Sequence, residues 1–126
     1  MEAVIIVTSP GNGIDFMSRL EQAGKVTVEP NGIVVVTSEA SRIYVVQDNA
    51  VRDEFEPEEL RLIAALIQVP IFYLLEFSDL MFCKKVLEIA ANDPKLMVDN
   101  DHGTILPGNE FVRILRNNQG WDWRRE

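Results

Sequence analysis

The 126-residue chain carries 20 acidic and 12 basic side chains, for a net charge of −8. This balance argues against binding to nucleic acid or to an anionic membrane surface, and it favours a cationic partner. Its composition, with 47% hydrophobic residues, is that of one globular domain, and its one cysteine, Cys83, excludes an intramolecular disulfide and a cysteine-based zinc site.

The first half of the chain predicts a strand, a helix and a three-stranded antiparallel meander. The β-branched run at residues 3–7 predicts a strand. The turn residues after it predict a helix that Asn12 caps and Gly24 ends in a left-handed conformation. The pair Asn31-Gly32 between two apolar runs indicates a type I′ hairpin, and residues 42–47 add the third strand. The inward face of the helix is expected to carry Ile14, Met17 and Leu20, with Phe16 as a further candidate.

The most apolar stretch, residues 60–77, predicts a helix followed by a buried strand. A proline at a first helical position, two glutamates in the first turn and apolar residues at helical spacing predict a helix over residues 57–68. The residue before Pro70 favours extended backbone. Residues 71–77 are apolar on both faces and predict a central strand covered on both sides. The alternative is a second helix over residues 70–92, because Leu and Phe suit both states.

The last part of the chain predicts two more helices and a short hairpin. A helix over residues 80–91 is expected to bury Cys83 and to leave Lys84 on its solvent side. A glycine-containing turn then joins two short strands. A final helix over residues 110–116 precedes two tryptophans, Trp121 and Trp123, which are expected to pack back on the domain. The chain is therefore predicted to be a single α+β domain, a mixed, mainly antiparallel sheet with about four helices packed against it.

An acidic run joins the meander to the apolar stretch. Residues 48–59 hold six carboxylates against one base, Arg52, for a local net charge of −5. The run could be a solvated loop and helix start, or a docking surface for a basic protein. On the second interpretation Phe55 is a hydrophobic anchor within a ring of charge, unless it is tucked into the core. The predicted partner-binding residues are Asp48, Asp53, Glu54, Phe55, Glu56, Glu58 and Glu59.

The run DNAVRDEFEPEE and the closing pattern LPGNEFVRIL followed by GWDW give the chain a general resemblance to the small acidic immunity proteins of bacterial toxin–immunity systems. The resemblance is one of chain length, net charge and C-terminal sequence, so it assigns no inhibitory role to any particular residue. It implies a non-enzymatic inhibitor that binds a cognate toxin with a basic surface, often a nuclease, at its active site or an adjacent exosite. The N-terminus lacks the features of a signal peptide, which favours a cytoplasmic location.

Two other functions remain open from the sequence. A small hydrolase could use Asp99, Asp101 and His102, although a lone histidine beside two carboxylates makes a weak site. A regulatory module could form homodimers through the strands at residues 33–36 and 42–47; otherwise the chain is expected to be a monomer. The glycine-containing turn at residues 9–13 lacks the third glycine and the lysine of phosphate-binding loops. We therefore predict no catalytic residue, cofactor or metal.

Overall fold

Residues 1–125 are described by a computed structural model, in which seven strands form one sheet in the order β2-β3-β4-β5-β1-β6-β7. The strands are β1 (Glu2–Thr8), β2 (Lys25–Val28), β3 (Val34–Ser38), β4 (Ser41–Gln47), β5 (Ile71–Phe77), β6 (Met97–Asp99) and β7 (Ile105–Pro107). The α-helices within the described residues are α1 (Pro10–Arg19), α2 (Pro57–Leu66), α3 (Leu80–Ala90) and α4 (Gly108–Asn117), with 3₁₀ segments at Leu20–Gln22, Asn49–Glu54 and Trp123–Arg125. The predicted α+β class is confirmed, and every strand pairing among these residues is antiparallel. None of these helices has the length and apolarity needed to cross a membrane.

The centre of the sheet is the pair of β1 and β5, which align antiparallel over seven residue pairs. The outer edge of β5 pairs with β4, and the outer edge of β1 pairs with β6. Along β5, Tyr73 and Leu75 point to one face of the sheet, while Phe72 and Leu74 point to the other. The prediction of a doubly covered central strand is therefore confirmed, and the alternative of one helix over residues 70–92 is wrong.

One face of the sheet is covered by α1, α3 and α4. Phe16 of α1, Cys83 of α3 and Phe111 of α4 are all fully buried there, as is Trp123. The ring centroid of Trp123 lies 5.8 Å from that of Phe111 and 5.3 Å from that of Trp121. The predictions that both tryptophans pack back on the domain and that Cys83 is buried are confirmed. Burial raises the pKa of the Cys83 thiol, so this thiol is not an activated nucleophile.

The opposite face is covered more thinly, by α2 and the 3₁₀ segment Asn49–Glu54. Ile63 of α2 and Ile67 just after it are buried against the sheet. The smaller core on this side consists of Ile5, Val7, Val51, Phe55, Ile63, Ile67, Phe72 and Met97. Because one short helix lies over this face, much of α2 itself remains open to solvent.

Three predictions about α1 are wrong. The cap is Ser9, whose Oγ accepts a hydrogen bond from the Asn12 backbone N–H at 3.3 Å, with Pro10 in the first helical turn. Ile14 points into solvent and is 71% exposed. Gly24 does not adopt a left-handed conformation. Its small size is needed because a Cβ atom there would collide with the backbone of Thr37 on a neighbouring strand.

The predicted hairpin between β2 and β3 is present, but its turn is not type I′. Gly32 has a φ of +88°, whereas Asn31 keeps a negative φ. The Gly32 N–H donates to the Glu29 carbonyl, and the Glu29 N–H donates to the Ile33 carbonyl, each at 2.9 Å. The connection is therefore a three-residue loop that ends in a left-handed glycine.

Lys84 of α3 was expected on the solvent side of the helix but is only 7% exposed. Its Nζ donates to the Gln119 carbonyl at 3.1 Å. The segment after α4 passes over α3 and covers the side chain, a tertiary contact that helical periodicity does not reveal.

Candidate functional site

The acidic run is anchored to the thinly covered face of the sheet by two apolar side chains. Asp48 Oδ1 accepts a hydrogen bond from the Ala50 N–H at 3.1 Å and so begins the 3₁₀ segment. That segment buries Val51, and Phe55 just after it is only 8% exposed. The Phe55 ring packs on the Phe72 ring of β5, with centroids 5.6 Å apart. Of the two interpretations of Phe55, the core position is correct.

The run ends in the first turn of α2, where Glu59 has a structural role. Its Oε1 accepts a hydrogen bond from the Glu56 backbone N–H at 2.8 Å, which satisfies a donor at the start of the helix. Pro57 occupies the first helical position, and Glu58 and Glu59 complement the positive end of the helix dipole. Glu59 is half-buried as a result, so its carboxylate has a fixed place at the sheet surface.

A second acidic segment, the turn between β6 and β7, reaches the same face. Asp99 pairs with Ile5 across β1 and β6 and is only 8% exposed. Its Oδ1 accepts a hydrogen bond from the Asp101 N–H at 2.8 Å. Asn100 Oδ1 accepts from the Thr104 N–H at 3.1 Å, and Gly103 has a φ of +94°. These bonds fix the turn and hold Asp99 and Asp101 beside the first segment.

The two segments meet at a cleft with a volume of about 170 Å³. Its side walls are four carboxylates, and its apolar surface comes from Ile5 and Phe55. Within residues 1–125 no lysine, arginine or histidine lines it. The complete lining is Ile5, Glu54, Phe55, Glu59, Asp99, Asp101 and Gly103. We call this feature the acidic cleft.

The pKa of Asp99 reflects the electrostatic environment of the acidic cleft. The pKa of its carboxyl is raised to about 6, chiefly by burial and to a smaller extent by the charges of Glu59 and Asp101. The hydrogen bond from the Asp101 N–H and the charge of His102 act in the opposite direction. The carboxylate is harder to ionise here because it is buried beside two other carboxylates, and a cation supplied from outside would favour its ionised form.

The seven partner-binding residues predicted from the run have three different positions. Glu54, Phe55 and Glu59 line the acidic cleft, and Asp48 caps the 3₁₀ segment. The remaining three, Asp53, Glu56 and Glu58, are exposed and do not line it. Ile5, Asp99 and Asp101 were not predicted as partner-binding residues, because only the pairing of β1 with β6 brings them to the run.

The hydrolase alternative grouped Asp99, Asp101 and His102, and in the structure the His102 side chain also contacts a residue outside that group. His102 Nε2 lies 3.3 Å from Glu2 Oε2, at the start of β1. Within residues 1–125 no His, Cys, Asp or Glu cluster has the arrangement to hold a metal ion. The two strands of the homodimer alternative lie inside the sheet, where β3 pairs with β2 and β4, and β4 pairs with β3 and β5.

Comparisons with known proteins give no relative to set beside this geometry. The chain matches no protein-family model, no curated protein and no solved structure.

Proposed function

We propose that this protein is a non-enzymatic binding protein that neutralises a basic protein partner through the acidic cleft and the acidic residues around it. The observation that carries the proposal is the convergence of four carboxylates, from two segments distant in sequence, on one cleft that no basic side chain of residues 1–125 lines. A lysine or arginine of a partner would supply the missing positive charge. The exposed side chains of Asp53 and Glu56 extend the negative surface beyond the cleft.

The composition of the cleft suits a long basic side chain. Ile5 and Phe55 border the cleft but are buried in the core, so a basic side chain would be held chiefly by the carboxylates that line the cleft. An arginine would also match paired carboxylate oxygens with its planar set of donors. Such a side chain would be the anchor of the interface, surrounded by exposed charge that steers the encounter.

The partner class we propose is a toxin with a basic surface, so that the protein acts as a cytoplasmic immunity protein. The acidic run and the closing pattern of the sequence resemble such proteins. An acidic surface that covers a basic site on the partner would block it either directly or from an adjacent exosite. The proposal requires no chemistry of the protein itself, only affinity for the partner.

The first test uses a decaarginine peptide and two variants matched in charge. Glu54→Lys with Asp101→Asn removes charge from the cleft, and Asn tolerates the left-handed backbone of Asp101, whose φ is +62°. Glu21→Lys with Glu110→Gln makes the same charge change at exposed positions that do not line the cleft. We expect the cleft variant to bind about 10-fold more weakly than the control by titration calorimetry at low salt.

Equal binding by the two variants would contradict a role for the cleft, and no binding by the unmodified protein would contradict a basic partner. A second test addresses the toxin class. The unmodified protein and both variants are expressed in cells with a basic toxin domain encoded by a neighbouring reading frame. We expect growth to be rescued by the unmodified protein and by the control pair, and to be lost with the cleft variant. Rescue by all three would rule out the cleft as the inhibitory surface.

A hydrolase remains a second candidate because of the raised pKa of Asp99, since such shifts are common among general acids. The His102 ring lies 3.3 Å from Glu2 Oε2, and its charge also acts on the Asp99 carboxyl. Substituting Asp99 by Asn and His102 by Ala separately distinguishes the candidates. Turnover of ester, phosphodiester or glycoside substrates that is lost in both variants would support the enzyme, whereas intact partner binding by His102→Ala supports the inhibitor.

A further inference from the structure

The sheet ends in two edge strands, β2 and β7, and the β7 edge is blocked. The backbone groups of a strand point alternately toward and away from the neighbouring strand. The Asn100 N–H donates to the Thr104 carbonyl at 3.0 Å, so Thr104 points toward β6, and Ile105 and Pro107 point away from it. Proline has no N–H to donate, so Pro107 interrupts the row of donors that a further strand would need.

The β2 edge has no such block. Among residues 1–125, β2 is the terminal strand of the sheet and pairs with β3 on one side only. The Glu29 N–H donates to the Ile33 carbonyl at 2.9 Å, so Glu29 and, by alternation, Thr27 point toward β3. The N–H and carbonyl groups of Val26 and Val28 therefore point away from β3, and the Val28 side chain is 68% exposed. An unpaired edge of this kind is a template for pairing with another strand.

The side chains along β2 carry opposite charges at its two ends. Lys25 begins the strand and Glu29 follows its last residue, and both are exposed. Neither forms an ion pair within residues 1–125. Because successive side chains alternate between the two faces of a sheet, Lys25, Thr27 and Glu29 lie on the same face. A two-fold axis at Thr27 would place Lys25 of each copy opposite Glu29 of the other.

We propose that a second copy of this chain pairs antiparallel with the β2 edge, about a two-fold axis at Thr27, and so joins the two sheets into one. In this register Val26 lies opposite Val28 of the other copy, and each such pair exchanges two backbone hydrogen bonds. The Val28 side chain, exposed in the single chain, then packs on Val26 of the other copy. Sliding the register by two residues in either direction would separate both charge pairs, so the charges select this alignment.

The argument for a second copy, rather than an unrelated strand, is that the edge is complementary to itself in charge as well as in backbone pairing. The paired segment is short, because Pro30 directly after Glu29 has no donor with which to extend it. The dimer is therefore weak, forms at high protein concentration and dissociates on dilution. No residue of β2 lines the acidic cleft, so the proposal does not depend on a toxin partner.

The position of the two-fold axis is tested by cysteine cross-linking with oxidised glutathione at millimolar protein. Thr27 would face itself in a non-hydrogen-bonded pair, whose Cα atoms lie about 4.5 Å apart, within reach of a disulfide. The two copies of Lys25 would lie about 13 Å apart, too far for one. We therefore expect Thr27→Cys to form covalent dimers about 10-fold faster than Lys25→Cys, measured by non-reducing electrophoresis. The native Cys83 is fully buried and does not compete. Equal rates for the two variants, or no dimers from Thr27→Cys, would overturn the proposal.

The charge pairs are tested by sedimentation velocity from the low micromolar to the millimolar range. The unmodified protein is expected to shift from monomer to dimer as its concentration rises. Lys25→Glu and Glu29→Lys are each expected to weaken dimerisation about 2- to 10-fold, because like charges then meet at both ends of the paired segment. The double variant should restore the original constant to within about 2-fold. Lys85→Glu, at an exposed position of α3, controls for net charge and should change the constant by less than about 2-fold.

Circular dichroism and thermal unfolding check that each of these variants is folded. Monomers of the unmodified protein at every concentration would overturn the proposal. A dimer that the single charge changes do not weaken, or that the double variant does not restore, would exclude pairing about Thr27 and overturn it equally.

Discussion

Phe55 packs against Phe72 of the central strand β5, with ring centroids 5.6 Å apart and ring planes at 40°. The contact joins the most acidic part of the chain to the middle of the sheet. Glu54 and Glu56 flank the buried ring, and Glu54 is thereby held at the acidic cleft. Together with Val51, this aromatic side chain fixes the acidic run on the sheet.

Substituting Phe55 by Ala should therefore lower both stability and affinity. We expect the free energy of unfolding to fall by about 3 kcal/mol, as for other buried aromatic residues truncated to Ala, and decaarginine binding to weaken because Glu54 is no longer held. Phe55→Leu keeps most of the volume and should cost about 1 kcal/mol. Urea unfolding and calorimetry measure the two effects. Unchanged stability of the Ala variant would show that Phe55 is not a core residue.

The raised pKa of Asp99 should make stability depend on pH. The pKa is about 6 in the folded protein against an ordinary value of 3.8. Between these values the folded protein keeps a proton that the unfolded chain has lost, so the free energy of unfolding falls as pH rises through this window. Asp99→Asn removes the penalty and keeps the acceptor for the Asp101 N–H. Allowing for screening by water, the variant should be about 1–2 kcal/mol more stable at pH 7.

That stability difference should disappear near pH 4, where Asp99 is protonated in the folded protein. Asp15→Asn, an exposed position on α1, serves as the control and should show little change at either pH. Urea unfolding at a series of pH values measures the effect. A difference between the Asp99 variant and the unmodified protein that stays constant with pH would refute the link to ionisation.

Binding of a cation in the acidic cleft should release a proton from Asp99. A positive charge nearby favours the ionised carboxylate and lowers its pKa, so affinity should rise with pH through about 6 and level off above pH 7. Calorimetry with decaarginine at pH 6, in two buffers of different ionisation enthalpy, measures the proton released. The Asp99→Asn variant should release none. Equal heats in both buffers for the unmodified protein would show that binding releases no proton, and hence that the peptide does not bind beside Asp99.

The exposed and the cleft carboxylates should affect binding kinetics differently. Reversing Asp53 and Glu56 to Lys should slow association with the basic partner and reduce its salt dependence, since exposed charges steer the encounter. Removing the charge of Asp99 by substitution with Asn should mainly speed dissociation, because that carboxylate is buried in the lining of the cleft. Surface plasmon resonance at several salt concentrations separates the two rates. Identical effects of both changes would mean that the cleft is not a distinct site.

Trp123 should be essential for the packing of α4. The indole is fully buried and lies edge-on to the Phe77 ring at 6.4 Å and to the Phe111 ring at 5.8 Å. We expect Trp123→Ala to destabilise the fold by about 3–5 kcal/mol, and Trp123→Phe to cost less because it retains an aromatic ring. Thermal unfolding followed by circular dichroism tests this. A small loss for the Ala variant would contradict the assignment of Trp123 to the core.

The elements that the sequence predicted well are those in which local pattern and tertiary packing agree. Residues 71–77 became a strand, although Leu and Phe suit a helix equally, because strands on either side pair with them. The α2 helix begins at the predicted proline. Lys84 and Ile14 were misplaced because their exposure depends on which segment passes over each helix. Helical spacing contains no such information.

The candidate site was predicted only in part, and for a similar reason. Glu54 and Glu59 belong to a run whose charge is evident in the sequence. Asp99 and Asp101 are far away along the chain, and the two pairs meet only because β6 lies beside β1. From the sequence alone, Asp99 and Asp101 were assigned to a separate, hydrolytic function. Strand pairing makes both pairs walls of one cleft.

The position of β1 has a consequence for synthesis of the protein on the ribosome. β1 is made first, yet its neighbours in the sheet are β5 and β6, so that Val4 lies opposite Leu75. The nascent N-terminal strand must remain unpaired until residues beyond 77 have left the exit tunnel. Such late, long-range pairing slows folding and leaves an apolar strand open to wrong partners. The meander of β2, β3 and β4 pairs locally and can form first, offering the edge on which β5 and then β1 assemble.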